Sequence, residues 1–268
     1  MNPSLPRRNF LGLAVIGAAG SQFRLLPKAM STATMEGKSF PKQDAAMVEE
    51  MVRVAHSDLA RVKQLVEAHP ALARAAIDWG FGDWEDALGA ASHTGRVEIA
   101  EVLIAHGARP TIFSAAMLGQ LDVVKAFVSA APGIQRVLGP HSITLLSHAK
   151  AGGERSQTTR AWLEQLGDAD LAPKLVPLDP ALRVTYAGTY GFGTAADERL
   201  DVTAEGAAAL TITRPGLSFG RGLRHLGNHE FFPVGAEAVR IRFNVVDARA
   251  TSVTVLDSGV VVTATRIQ

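Results

Sequence analysis

Histidines are the residues of this chain whose type and spacing could support chemistry, because an imidazole can ligate a metal or transfer a proton near neutral pH. His225 and His229 lie four positions apart, and Glu230 follows them. On a helix this spacing would place two metal ligands on one face. Gly227 and Asn228 lie between the two histidines, however, and such residues favour a turn. We therefore expect the two histidines to flank a hairpin and not to bind a metal.

The acidic and basic residues offer no stronger candidate. Glu49-Glu50 and Glu85-Asp86 are adjacent pairs, whose members point in different directions on a helix, and we expect them on exposed helical faces. Arg240 and Arg242 share one face of a predicted strand. They either form a patch that attracts anions or are simply the solvent-exposed residues of an alternating strand. The chain has no cysteine, which excludes thiolate metal sites and disulfides. With no recognisable triad, the sequence predicts no catalytic residue, no metal ligand, no cofactor and no enzyme.

Length and charge limit the class of partner. With 268 residues the chain can form two modest domains, each with its own core. Its 27 Lys and Arg residues balance 26 Asp and Glu residues, so the net charge of +1 attracts neither nucleic acid nor an anionic membrane surface. We expect no nucleic acid and no permanent membrane anchor.

The N-terminal segment has the pattern of an export signal. Arg7 and Arg8 are followed by Phe10 and Leu11, and a glycine-rich apolar run at 12–20 is too short to span a bilayer. This segment resembles a signal of the twin-arginine type. The resemblance implies that residues 1–33 are a signal peptide and that the protein is periplasmic or secreted.

Residues 44–167 carry a repeated helical pattern. The segments 58–69, 95–106 and 119–130 align without gaps, and each has apolar residues at its third, fifth, eighth and ninth positions. A further unit follows at 145–166. Helix pairs this short cannot bury their own apolar faces, so they are expected to stack on one another.

The unit around Gly95 resembles an ankyrin repeat. Its matching residues are Leu88, Ala91, Gly95, Glu98, Ile99, Leu103, Gly107 and Ala108. The resemblance implies a short solenoid of about four units that binds another protein, with His56 and His93 bonded to loop backbone. The turn residues are 37, 24 and 34 positions apart, whereas ankyrin units repeat near 33, so we expect an irregular array. These turn residues are Asp58, Gly95, Gly119 and Gly153.

The longest of these spacings leaves an aromatic connection at 76–84. It contains Trp79, Phe81 and Trp84 among Gly and Asp residues. Either this connection is an exposed recognition loop, or its rings fold back over the helices and cap the core. The candidate binding residues are Trp79, Phe81, Trp84, His93 and Arg109.

A second domain follows a linker. Residues 168–180 contain three prolines, which cannot continue a helix, and predict a linker. Residues 181–268 alternate apolar and polar residues in about eight short runs, and 257–259 predicts a tight hairpin turn. The predicted strands are 185–192, 199–203, 209–214, 217–223, 230–233, 239–245, 251–257 and 259–267. They indicate a small antiparallel β-barrel or a curled sheet.

The start of this domain carries a family motif. Tyr186-Ala187-Gly188-Thr189-Tyr190 resembles the Tyr-x-Gly-x-Tyr motif of the accessory β-domain in exported serine hydrolases of the β-lactamase type. The resemblance implies an accessory module and not a seat of catalysis. Half-barrels of this kind are also lipocalin-like, which leaves room for a small apolar ligand.

The predicted fold class is α+β multidomain, with a short ankyrin-like α-helical solenoid followed by the β-domain. We expect an exported, non-enzymatic protein whose array binds another protein while the β-domain docks a partner or holds a ligand. A small-molecule or lipid carrier that uses the inside of the β-domain is the alternative. A hydrolase with an unrecognised site between the domains is a third hypothesis.

Overall fold

The computed structural model describes residues 39–204, 210–215 and 220–267. These residues form an α+β protein, which is mainly helical as far as Leu166 and continues into an eight-stranded antiparallel barrel. The predicted signal at 1–33 lies outside the described residues. None of the helices that the structure describes is long and apolar enough to cross a membrane.

The helical part contains four helix pairs in the described residues. The pairs are α1 and α2 (Ala45–Val54, Leu59–Ala68), α3 and α4 (Ala87–His93, Val97–Ala105), α5 and α6 (Ile112–Met117, Leu121–Ala130), and α7 and α8 (Leu145–Ala151, Gln157–Leu166). Short 3-10 turns lie at Pro70–Arg74, Ile134–Arg136, Pro140–Ser142, Gly153–Ser156 and Pro180–Leu182. The second helix of each of the first three pairs begins within two residues of its predicted start, so the repeated helical pattern is confirmed at these places.

Local chemistry explains where these helices begin. The side chain of Asp58 accepts a hydrogen bond of 2.9 Å from the backbone N–H of Arg61, which caps α2. Between α3 and α4, Gly95 has a φ of 69°, and a Cβ there would collide with the carbonyl oxygen of Ala151. The turn therefore needs glycine both for its backbone angle and for its close packing against the end of α7.

The array is irregular in its packing as well as in its spacing. Helix α3 contacts α1, α5 and α7, whereas a unit of a linear solenoid contacts only its neighbours. One hydrophobic core surrounds Met51, Leu88 and Leu103, and a second surrounds Leu145 and Leu163. The contact between α3 and α7 brings the 3-10 turn that precedes α7 close to the end of α3.

The aromatic connection is a short hairpin. Strands β1 (Ala76–Asp78) and β2 (Trp84–Asp86) pair antiparallel, with Ile77 opposite Glu85. The expected loop is therefore partly wrong, because the two ends of the connection form a ladder and only its tip is irregular. The ladder holds the tip in a fixed position between the array and the barrel.

The C-terminal domain is a closed barrel. Its strands are β3 (Gly188–Gly191), β4 (Arg199–Thr203), β5 (Thr211–Thr213), β6 (Arg221–Gly227), β7 (Glu230–Pro233), β8 (Arg240–Val246), β9 (Arg249–Asp257) and β10 (Val260–Arg266). Each strand pairs with the next, and β10 closes on β3. Val260 lies opposite Asp257, so β9 and β10 are joined by the two-residue turn that the sequence predicts. Closure leaves no unpaired edge between β10 and β3.

The barrel differs from the prediction at its start. Helix α9 (Arg183–Tyr186) occupies the first half of the predicted strand 185–192. The hydroxyl of Tyr190 donates to the carbonyl of Tyr186 at 2.5 Å, and both rings are buried in the barrel. Together with Phe231 and Phe243 they fill its interior. This packing disfavours an apolar ligand inside the barrel.

Candidate metal centre

Four elements of the array bring three histidines and one glutamate together. His56 follows α1, Glu85 is the middle residue of β2, His93 is the last residue of α3, and His141 lies in the 3-10 turn before α7. One potential ligand atom from each residue lies within 4.8 Å of all the others. We call these four residues the His/Glu cluster. Three imidazoles and one carboxylate form a set that suits a divalent transition metal.

The carboxylate of Glu85 lies at the centre of the cluster. Its oxygens are 2.9 Å from Nε2 of His93, 3.3 Å from Nε2 of His141 and 3.5 Å from Nε2 of His56. The Nε2 atoms of His56 and His93 are 3.2 Å apart. Ligands about 2.0 to 2.1 Å from a tetrahedral zinc ion would be separated by about 3.3 Å. The four ligand-to-ligand distances given above, from 2.9 to 3.5 Å, lie on both sides of this expected separation.

Groups outside the cluster orient its rings. Nδ1 of His56 is 3.0 Å from the carbonyl oxygen of Val52, and Nδ1 of His141 is 2.7 Å from the carboxylate of Asp83. Both Nε2 atoms are thereby turned toward the cluster. Metal-binding histidines are held in this way, with the second ring nitrogen donating to a carbonyl or a carboxylate.

Glu85 is buried and only partly satisfied. Its side chain is fully buried, and the indole N–H of Trp79 donates to Oε2 at 2.7 Å. Oε1 has no hydrogen-bond partner among the described residues, because Nε2 of His93, although 2.9 Å away, does not direct a donor at it. A buried carboxylate oxygen without a donor is costly, and a bound cation would satisfy it.

The charges of the cluster stabilise one another. Burial by itself would raise the pKa of Glu85, but its close contacts with His141 and His93 and the charges of His141 and His56 lower it to about 2. Burial would lower the pKa of His141, yet the carboxylates of Asp83 and Glu85 raise it to about 9. In the absence of a metal, His141 is therefore the cation between two buried carboxylates.

The tip of the β1–β2 hairpin joins the cluster to the barrel. Asp83 is buried and forms an ion pair with Arg221 of β6, and it also accepts the backbone N–H of His141 at 2.9 Å. Ser142, which follows His141 in the chain, accepts a hydrogen bond of 2.8 Å at its hydroxyl from the backbone N–H of Gly235 in the barrel. The position of His141 thus depends on contacts from both domains.

The backbone at His141 is strained. His141 and Ser142 have φ values of 60° and 63°, in the left-handed region that residues with side chains rarely adopt. Their contacts with Asp83 and Gly235 hold them there. Strain that is maintained by surrounding contacts is frequent at functional sites.

The structure separates the five predicted binding residues. His93 belongs to the cluster, Trp79 donates to its carboxylate, and Phe81 packs against the core of the barrel. The side chain of Trp84 is 64% exposed, and Arg109 is exposed on the connection between α4 and α5. The aromatic connection therefore both caps the core, through Trp79, and leaves one ring in solvent.

The expectation for Glu85 is wrong in two respects, because the residue lies on a strand and is buried. His56 does bond to backbone as expected, but only through Nδ1, while its Nε2 enters the cluster. The sequence singled out neither His141 nor Asp83. The four cluster residues are 29, 8 and 48 positions apart, a spacing that matches no local motif. The hairpin predicted around His225 and His229 is present, with His225 inside β6 and His229 in the turn between β6 and β7.

Two residue spacings that occur around the nucleophilic serine of hydrolases are present in the sequence. In the described residues, neither comes with a serine that a neighbouring base could activate. Ser-x-x-Lys occurs at 39–42 and at 147–150, and Gly-x-Ser-x-Gly occurs at 216–220, of which 216–219 lie outside the described residues. Lys150 pairs with Asp170 at 3.4 Å, and no hydrogen bond between Lys150 and Ser147 is present in this part of the chain. The lysine is therefore not placed as a base for Ser147.

The sequence matches no protein-family model, and no curated protein is significantly similar to it.

Proposed function

We propose that the protein binds one divalent transition-metal ion, zinc or a neighbour in that series, in the His/Glu cluster. One observation carries the proposal. The buried carboxylate of Glu85 has an oxygen without a hydrogen-bond donor, and three imidazole Nε2 atoms face the same carboxylate. Nitrogen and oxygen ligands in this ratio bind zinc, nickel, copper and iron well.

The ring orientations support a metal more than a purely ionic network. Because Nδ1 of His56 uses its proton on the carbonyl of Val52, its Nε2 carries a lone pair when the ring is neutral. That lone pair lies 3.5 Å from the carboxylate of Glu85 and 3.2 Å from Nε2 of His93. A metal ion bonded to the carboxylate and to the three Nε2 atoms would remove this repulsion. Protonation of His141 only neutralises charge beside His141 and leaves the repulsion at His56 in place.

The proposal is tested by metal binding to the purified protein. After treatment with a chelator, zinc is titrated in competition with a chromophoric chelator, and cobalt(II) binding is followed by its visible absorption. We expect one ion per chain. His56→Gln and Glu85→Gln should each lower the affinity by more than about 100-fold, which exceeds the usual cost of losing an outer hydrogen-bond partner.

His106→Gln is the matched control. His106 also follows a helix, and its Nδ1 lies 2.8 Å from the carbonyl oxygen of Val102, but the ring is exposed and outside the cluster. Zinc affinity should be unchanged in this variant. Sub-stoichiometric zinc binding, or equal affinities of the wild type and the Glu85→Gln variant, would refute the proposal.

Protein binding by the array remains a second candidate, because one large apolar side chain on the hairpin is left in solvent. Trp84 is 64% exposed, and exposed tryptophans are enriched at binding surfaces. The resemblance to ankyrin repeats favours the same function. Trp84→Ala should abolish capture of a stoichiometric partner from periplasmic extract, whereas the helical circular dichroism should not change. Unchanged capture of that partner would remove this candidate.

Export through the twin-arginine route is likewise a proposal, supported by the pattern at Arg7 and Arg8. Replacement of both residues by lysine should keep the protein out of the periplasm. Periplasmic protein in that variant would contradict the proposal.

A further inference from the structure

A groove lies beside the His/Glu cluster, where the array, the linker and the barrel meet. Its volume is about 480 Å³, which is within the range of small-molecule sites. His141, Ser142 and Ser147 form the wall on the array side, and Arg224 and Phe232 form the wall on the barrel side. Ala172, Pro173 and Leu175 of the linker complete it.

The cluster is open on one side. The side chain of Glu85 is fully buried, whereas those of His56, His141 and His93 are 25%, 20% and 11% exposed. The carboxylate thus forms the floor of a cup, and the imidazoles form a partly exposed rim. Four protein ligands fill a tetrahedral zinc ion, but its coordination can expand to five, and the exposed rim gives a fifth ligand access to the metal. His141 belongs both to this rim and to the wall of the groove.

The groove contains one cation without a protein partner in the described residues. Arg224 is exposed, and no hydrogen bond or ion pair to it occurs there. The carboxylate of Asp170, on the array side, is already engaged by the hydroxyl of Thr144 at 2.5 Å and by Lys150 at 3.4 Å. The positive charge of Arg224 is therefore available to an anion that enters the groove.

The remaining walls are apolar. Phe232 lies opposite Arg224 in the register of β6 and β7, and Leu175 and Pro173 of the linker face the same space. Side chains of this kind accommodate a hydrocarbon body. The groove thus combines a cationic side chain, apolar walls and one wall that contains a metal ligand.

We infer that the metal-loaded protein binds a small organic acid in this groove, with its oxyanion as a fifth ligand of the metal and its apolar body against Phe232 and the linker. Arg224 attracts the acid from the barrel side. The inference rests on the proposed metal centre and adds its ligand class. A carboxylate and a phosphate share the necessary chemistry.

Cobalt(II)-loaded full-length protein provides the test, because the visible spectrum of cobalt changes when a ligand joins or replaces another in its coordination sphere. Butyrate and butyl phosphate, which carry the same apolar chain, are titrated separately. We expect a saturable spectral change with at least one of them, which also identifies the preferred oxyanion. Arg224→Gln should weaken that binding about tenfold or more, since a charge-assisted contact is lost.

Arg242→Gln is the control, because Arg242 is a barrel arginine outside the groove that pairs with Glu230. It should bind both the metal and the acid as the wild type does. If cobalt binds in a 1:1 ratio but neither acid changes its spectrum, the groove inference is overturned and the metal proposal stands. Equal acid affinities of the wild type and the Arg224→Gln variant would also overturn it. Absence of cobalt binding would overturn both.

Discussion

Replacement of Asp83 by asparagine should destabilise the protein and weaken its metal centre together. The carboxylate is 2% exposed and pairs with Arg221, which is 7% exposed, while His141 donates to it through its backbone N–H and Nδ1. Asparagine keeps the size and can still accept the backbone bond. It removes the charge, however, and removing one partner of a buried pair typically costs about 3–5 kcal/mol.

Two measurements test this expectation on the metal-free and the zinc-loaded protein. Urea unfolding of the metal-free variant should show the loss of about 3–5 kcal/mol, which for a chain of this size lowers Tm by roughly 10 °C. Zinc affinity should fall about 10- to 100-fold, because the carboxylate that orients His141 is gone.

Glu164→Gln is the control for the Asp83→Asn variant. It removes one charge of the exposed i,i+4 pair with Arg160, which contributes about 0.5 kcal/mol or less. If the Asp83→Asn variant were within about 1 kcal/mol of the wild type, the buried pair would not hold the two domains as we describe.

Three further variants test other parts of the same region. His148 is buried, and burial, only partly opposed by its hydrogen bond to a backbone carbonyl, lowers its pKa from 6.5 to about 4. Because the pKa of His148 is lower in the folded than in the unfolded protein, its contribution of about 3 kcal/mol to the free energy of unfolding is complete above pH 6.5. This contribution is lost as the pH falls toward 4. The free energy of unfolding should therefore decrease less steeply in acid for His148→Gln than for the wild type. Gly235→Ala should destabilise the protein more than Gly107→Ala in chemical unfolding, because both glycines have positive φ but only a Cβ at 235 meets another side chain, the carboxylate of Asp83. Trp79→Phe should lower zinc affinity about tenfold by removing the donor to the cluster carboxylate, and equal affinity would contradict that role.

Local patterns account for most of the secondary structure. The helical period at 95–106 and at 58–69 predicts α4 and α2, since this signal acts within a few residues. The alternation at 199–203 and 230–233 predicts β4 and β7 to the residue. The pattern fails at 185–192, where tertiary packing buries Tyr186 at the end of a short helix instead of in a strand.

By itself, the sequence determined the four helix pairs and most of the barrel strands, because helical period and alternation act over short distances. Only the tertiary structure decided the site. The β1–β2 ladder turns Glu85 inward, and the contact between α3 and α7 brings His141 to His93. Residues 29, 8 and 48 positions apart carry no shared local signal, so a cluster made of them exists only after the helices and the hairpin have packed.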